Sequence, residues 1–153
     1  MISHAADPQA DTSTALKLWV VLARAHRAVA DHARHDIERH GLGMTEFAVL
    51  EVLHHRGPLP LGEIGERILL TSGSTTYVAD KLEERGLLSR RACDQDRRVV
   101  YAELTTAGRE VIEGIFPAHA AAIRDAVAGL SPAEQRRATE LLKRLGLAAR
   151  KKM

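Results

Sequence analysis

The sequence predicts a mainly α fold with a small β wing, a winged helix-turn-helix flanked by long helices. Three observations predict it. Apolar residues make up 45% of the 153 residues but aromatic ones only 3%, so Leu, Val, Ile and Ala must fill the interior, which favours helix over sheet. The stretch from Leu59 to Leu104 reads as a short amphipathic segment, then a small-polar run opening a helix that stops at Gly86, then two short strands around an acidic-basic tip. On either side lie helical periodicities longer than so small a domain can cover by itself. The boundaries expected are a flexible N-terminus over 1–12, a long helix over 13–40, a winged helix-turn-helix over 44–104 and long C-terminal helices over 105–153, the flanking helices being those that the resemblance described below makes dimerisation helices. Residues 13–150 form one integrated domain in this reading.

Residues 1–12 carry Asp7, Pro8, Gln9 and Asp11 and offer little to bury. Thr12 or Ser13 caps the first helix, where Leu16, Trp19, Val20, Ala23, Ala30, Ala33 and Ile37 recur at helical spacing until Gly41. Thr45 caps the second, with Glu46 in its first turn and Phe47, Val49, Leu50 and Leu53 inward. Gly57-Pro58-Leu59-Pro60 breaks it, and Leu61 to Leu70 forms a short helix with Leu61, Ile64 and Ile68 inward.

The helix opening near Ser72 departs from the usual pattern. Its first two turns hold Gly73, Ser74, Thr75, Thr76 and Tyr77, and its apolar anchors Val78 and Leu82 arrive late. Small hydroxyl residues are poor helix formers, so stability alone does not explain the run. It suits a helix end lying on phosphates and base edges, where hydroxyls and free amides donate. Strands Leu88 to Ala92 and Val99 to Leu104 then flank the tip Asp94-Gln95-Asp96-Arg97-Arg98. Such a layout places one helix in the DNA major groove and a hairpin beside it.

Thr105 or Thr106 caps a long helix with Val111, Ile112, Ile115, Ala118, Ala122 and Ile123 inward, bent at Pro117 and ended by Gly129-Leu130. Ser131-Pro132-Ala133-Glu134 is a capping box with proline at the first helical position. Ala138, Leu141, Leu142, Leu145 and Leu147 stripe the last helix.

Composition narrows the function classes. The single cysteine, Cys93, excludes an internal disulfide framework and a thiolate-rich zinc site. The N-terminal residues lack a basic-then-apolar signal pattern, and no apolar run is long enough to span a bilayer, so a cytoplasmic protein without membrane partner is expected. No Gly-rich phosphate loop, nucleophile elbow or metal-binding helix motif is present, so an enzyme is not expected and no cofactor is called for. The net charge of +2 permits nucleic-acid binding without demanding it.

Asp94-Gln95-Asp96-Arg97-Arg98 followed by Leu104-Thr105-Thr106-Ala107-Gly108-Arg109 resembles the acidic-Arg wing and "LTxxG" helix start of the MarR family of winged helix-turn-helix regulators. The likeness runs from about residue 13 to 148. The stretch from Leu69 to Glu83 is similar to the branch responding to phenols, catechols and quinones. The resemblance implies a homodimer joined by the first and last two helices, binding a palindromic double-stranded operator. It also implies a small-molecule effector pocket between DNA-binding lobe and dimerisation region, and release from DNA by that effector.

The DNA-contact residues expected are therefore Ser72, Ser74, Thr75, Thr76, Tyr77 and Lys81 on the helix and Arg90, Asp96, Arg97 and Arg98 in the wing. Arg98 is favoured for a narrow minor groove, which attracts an inserted guanidinium, with Asp96 orienting it. The bland alternative is a cap and a solvated hairpin tip. Arg90 and Arg91 alternate on a strand, so only one of them faces DNA, and Asp80 reads as an ion-pair partner. For a flat phenolic effector, Trp19, His26 and Phe47 are the candidate pocket residues, against the plain reading of Trp19 and Phe47 as core. Cys93 before the tip is the candidate for a thiol switch, against a small residue entering a turn; peroxide sensors of the family carry their cysteine near the N-terminus. His32 and His35 are three apart on one helix face, yet without further ligands no metal site is assigned. A thiol-based redox repressor and a constitutive, ligand-free DNA binder are the alternative functions.

Overall fold

The structure, a computed structural model, describes residues 8–152. In chain order these form α1 (Pro8–Glu38), α2 (Met44–Arg56), β1 (Leu59–Pro60), α3 (Leu61–Ile68), α4 (Ser72–Glu84), β2 (Leu88–Ala92), β3 (Val100–Leu104), α5 (Thr106–Ala126) and α6 (Pro132–Arg150). The fold class is the mainly helical one expected, with a small antiparallel sheet. No helix among the described residues is long and apolar enough to cross a membrane.

Several boundaries move. Residues 8–12, expected to be flexible, are already helical, so neither Thr12 nor Ser13 caps α1; residues 1–7 lie outside the described residues. Gly43, not Thr45, precedes α2. Its N–H donates to Glu46 Oε2 at 3.1 Å, which supplies the carboxylate half of a cap from within the helix. The Gly57–Pro60 break is also a strand: Leu59 pairs with Ala102 and Pro60 with Tyr101 of β3. Proline is tolerated there because β1 is the edge of a sheet ordered β1-β3-β2. Helix α5 runs unbroken through Pro117; the carbonyl that loses its donor belongs to Glu113, an exposed residue.

The chain divides into two compact units, one from Ala33–Ala122 and the other from the described parts of Met1–His32 and Ile123–Met153. The division cuts α1 and α5 rather than falling between elements. In the Ala33–Ala122 unit, Ile37 from α1, Leu50 and Leu53 from α2, Ile64 from α3, Leu82 from α4, Leu88 from β2 and Ile112 from α5 are all at most 2% exposed and form one core.

Two close approaches fix this unit. Between α3 and α4, a methyl on Gly65 would lie 2.6 Å from Thr75 Oγ1, so only glycine lets the helices meet there. The turn joining them passes through Leu69 at φ 60°, a left-handed conformation, and the Leu70 N–H donates to the Gly65 carbonyl at 2.8 Å. Where the wing returns to α5, the Thr105 hydroxyl donates to the Gly86 carbonyl at 2.6 Å and accepts from the Gly108 N–H at 3.0 Å. A methyl on Gly108 would sit 1.9 Å from the Leu87 carbonyl oxygen. This is the physical content of the Leu-Thr-Thr-Ala-Gly motif: the threonine caps α5 and ties it to the end of α4, and the glycine admits the Leu87 backbone.

The other unit is built differently. The Ser131 capping box forms as expected, the Ser131 N–H donating to Glu134 Oε2 at 2.8 Å. The Gln135 amide donates to the Leu130 carbonyl at 2.9 Å and the Val127 carbonyl at 3.2 Å, closing the α5–α6 turn. Yet no residue of α6 is buried, and Leu16, Trp19, Val20, Leu141, Leu142, Leu145 and Leu147 are all 40% or more exposed. Ten of the thirteen large apolar side chains left exposed among the described residues belong to this unit.

Gly108→Ala is expected to cost about 2–3 kcal/mol in urea unfolding, because the clash is with backbone. Gly114→Ala, on the same helix with nothing within 4 Å of the new methyl, should instead be neutral or stabilising by up to about 1 kcal/mol.

Candidate nucleic-acid interface

Thr71 caps α4. Its Oγ1 accepts from the Ser74 N–H at 3.2 Å and its hydroxyl donates to Ser74 Oγ at 2.9 Å. Ser72, Gly73, Ser74, Thr76 and Tyr77 are exposed along the first turns, Tyr77 by 64%. Thr76 hydroxyl donates back to the Ser72 carbonyl at 3.0 Å. The late arrival of Val78 and Leu82 now has its reason: the front of α4 projects beyond the core, and burial starts on the side facing α3. Thr75 is on that side. At 2% exposure, with its hydroxyl donating to the Thr71 carbonyl at 2.9 Å, it cannot reach a nucleic acid, contrary to the sequence expectation.

Two charged clusters grip the flanks of α4. On one, Glu46 from α2, 6% exposed, receives Lys81 Nζ at 2.6 Å on Oε1 and Arg85 Nη1 at 3.1 Å on Oε2. Burial raises the Glu46 pKa, but the Lys81 ammonium, the Gly43 N–H and the Arg85 guanidinium more than offset it, so the carboxyl lies below its usual range. Lys81, expected as the long reach to DNA, is thus held against α2. On the other flank, Arg90 of β2 ion-pairs with Asp80 at 2.7 Å, and its Nε donates to Glu83 Oε2 at 3.0 Å. The Arg90 side chain is only 23% exposed, so this arginine fastens wing to helix and is not the DNA contact expected of it. Asp80 is the ion-pair partner foreseen. Arg91, its neighbour, is exposed, with its guanidinium carbon 5.5 Å from the Tyr101 ring centroid.

At the tip, Asp96 splints Arg98. Its Oδ1 accepts from the Arg98 backbone N–H and from Nε, both at 3.1 Å, and its Oδ2 from Nη2 at 3.2 Å. These bonds hold the Asp96 carboxyl below its usual pKa. The Arg98 side chain is 91% exposed, so its guanidinium is aimed without being buried, and Arg97 beside it is also exposed. Cys93 is half-buried where the hairpin narrows, its N–H donating to the Val99 carbonyl at 2.8 Å.

The effector residues expected do not form a site within either unit. Phe47 is core in the Ala33–Ala122 unit at 2% exposure, its ring centroid 4.5 Å from that of His119. Trp19 and His26 belong to the other unit and are exposed, so the plain reading of Trp19 as core also fails. His32 and His35 are exposed, and no group of three or more metal-ligating side chains occurs among the described residues.

Sequence reasoning missed a buried polar pair. Asp36 on α1 is 3% exposed and His119 on α5 9%, and Nδ1 of the histidine lies 3.4 Å from Oδ2 of the aspartate, too long for a well-formed hydrogen bond. Burial raises the Asp36 pKa, and Arg39, donating to Oδ1 at 2.7 Å, contributes most to bringing it below the usual range. The available signal was a carboxylate on the same inward stripe as Ala33 and Ile37. Glu46 was seen only as a helix-end charge; its 39-residue reach to Arg85 leaves no local pattern.

With this geometry in hand, comparison with known proteins identifies the family. The MarR family model matches residues 42–100, which span the start of α2 to the start of β3. The HTH-type transcriptional regulator MhqR of Bacillus subtilis is 51% identical over 139 residues, covering 91% of this chain and 96% of MhqR. Among solved structures, Sco3205 of Streptomyces coelicolor, a MarR family transcriptional regulator in complex with DNA, is 26% identical with a TM-score of 0.79, covering 86% of this chain and 84% of that one. Bordetella bronchiseptica BpsR, whose DNA binding is regulated by 6-hydroxynicotinic acid, is 25% identical with a TM-score of 0.78, covering 85% of this chain and 98% of BpsR. Matched in sequence over 91% of its length and in fold over 86% of it, the chain belongs to the MarR family.

Proposed function

We propose that this chain, a MarR-type DNA-binding transcriptional regulator, acts as a homodimeric repressor that a small aromatic ligand releases from a palindromic operator. The observation that carries the DNA reading is the pairing of an uncharged, hydroxyl-rich front on α4 with a wing arginine splinted by Asp96. Ser72, Ser74, Thr76 and Tyr77 meet phosphates, base edges and thymine methyls in the major groove. Arg98, with Arg97, enters the neighbouring minor groove, where negative potential is concentrated. A splinted guanidinium loses less side-chain freedom on binding than a loose one.

The homodimer is supported by the apolar side chains left exposed on α1 and α6. A 19-residue helix with no buried residue does not fold for its own sake, and a second copy of the same helices covers such a surface most economically. Two copies then present their α4 helices to half-sites about one helical turn apart, roughly 34 Å. An effector acts by binding better to a dimer whose heads are spaced otherwise. The regulation of BpsR by a hydroxylated aromatic acid supports a ligand of this class.

Three outcomes are expected. Arg98→Ala should weaken binding to the chain's own promoter DNA by about 1–2 kcal/mol and reduce the slope of log affinity against log salt by about one; an unchanged slope removes the wing from the interface. Leu141→Asp/Leu145→Asp should halve the mass seen by light scattering and lower operator affinity by roughly tenfold or more, since one head retains only its own contacts. In gel shift, a phenol, catechol or quinone should release the promoter fragment. If Cys93→Ala abolishes that release, the chemistry is a covalent thiol switch, and if no compound acts, the chain binds DNA constitutively.

A further inference from the structure

The exposed stripe of α4 does not end at Tyr77. Counted from Ser74, Lys81 and the C-cap residue Arg85 lie seven and eleven residues on, intervals that return to nearly the same azimuth of a helix, and the Lys81 ammonium lies 5.9 Å from the Tyr77 ring centroid. Both cations are turned onto one carboxylate: Lys81 at 2.6 Å and Arg85 at 3.1 Å from Glu46. Glu46 is nine-tenths buried and anchored by the Gly43 N–H, so it cannot follow them outward. Lys81 by contrast sits on a flexible stem with its side chain 47% exposed. Asp80 and Glu83, in the same half of α4 as Lys81, are likewise engaged, by Arg90.

A lysine free on this stripe would be a point charge seeking any phosphate. Such contacts strengthen binding to every sequence alike and carry no base information. We propose that Glu46 is a positioning residue that masks Lys81, keeping its ammonium off the DNA so that sequence discrimination rests on the hydroxyls, Tyr77 and the wing. The carboxylate is suited to this because its ionised form is held by three donors and its partner cations leave it no net negative charge to repel DNA. This inference rests on the reading that the front of α4 lies on DNA.

The test is a salt titration of the full-length protein on two fluorescent duplexes, its own promoter fragment and a scrambled one. Glu46→Gln keeps an oxygen for the Gly43 N–H while releasing Lys81. It should steepen the salt slope by about one on both duplexes and raise affinity for the scrambled one by roughly fivefold or more, narrowing the specificity ratio. Lys81→Met alone should leave the slope as in wild type, and Glu46→Gln/Lys81→Met should lose the increment. A Glu46→Gln protein that binds both duplexes more weakly with an unchanged slope leaves Glu46 as a docking brace alone and overturns the mask. So does a slope that falls by about one in Lys81→Met, which stands as the test by itself if Glu46→Gln does not fold. Tyr77→Ala separates the two layers of the argument: unchanged promoter affinity there refutes the placement of α4 on DNA, whereas lost affinity together with an unmoved Glu46→Gln slope refutes only the mask.

Discussion

The rest of the reading head depends on how α4 is held. Its front half carries no charge, and its back half carries charges of both signs that point to different neighbours. Lys81 and Arg85 go to Glu46 on α2, and Asp80 and Glu83 go to Arg90 on β2. Apolar packing through Val78 and Leu82 and the Gly65–Thr75 approach seat one face of α4, and the two ion clusters add restraints on its flanks. Each of these pairs has one partner facing solvent, and such pairs contribute little to stability. Their value is orientation, since the same Arg90 that restrains α4 also fixes the strand leading to Arg98.

How much of this was legible in the sequence follows the range of the interactions. Capping boxes, glycine stops and the Thr105–Gly108 motif are local, and Ser131, Gly86 and Thr105 were read correctly. The Glu46 cluster and the Arg90 clamp join residues from different elements, and no spacing announces them. Thr75 stands in the middle of a hydroxyl run whose other members are exposed, but it lies three, four and seven residues before Val78, Ala79 and Leu82, so helical spacing already placed it on the buried stripe that meets Gly65. The strand within Gly57–Pro60 was hidden because two residues joined to a distant edge look like a turn. On α1, a stripe read as one apolar face divides: Ala33 and Ile37 are buried, while Leu16, Trp19 and Val20 are not. Periodicity reveals that a face exists, not what covers it.

The two compact units therefore obey different rules. Ala33–Ala122 closes its own core with residues at or near zero exposure, as an independently folding domain does. The arm helices meet their backbone hydrogen bonds internally and leave their apolar side chains open. Helices α1 and α5 each contribute residues to both units.

Leu69 shows how stiff that head is meant to be. A left-handed leucine costs on the order of 1–2 kcal/mol that glycine would avoid. Glycine, however, would also open the mirror-image regions of backbone space and give the joint between α3 and α4 several rest positions. Leucine closes those regions and leaves the joint fewer alternatives. The elbow between α3 and α4 is thus closed from three sides, by the left-handed leucine, the Leu70–Gly65 hydrogen bond and the Gly65–Thr75 approach, and the helix pair keeps one seating where a glycine would loosen it.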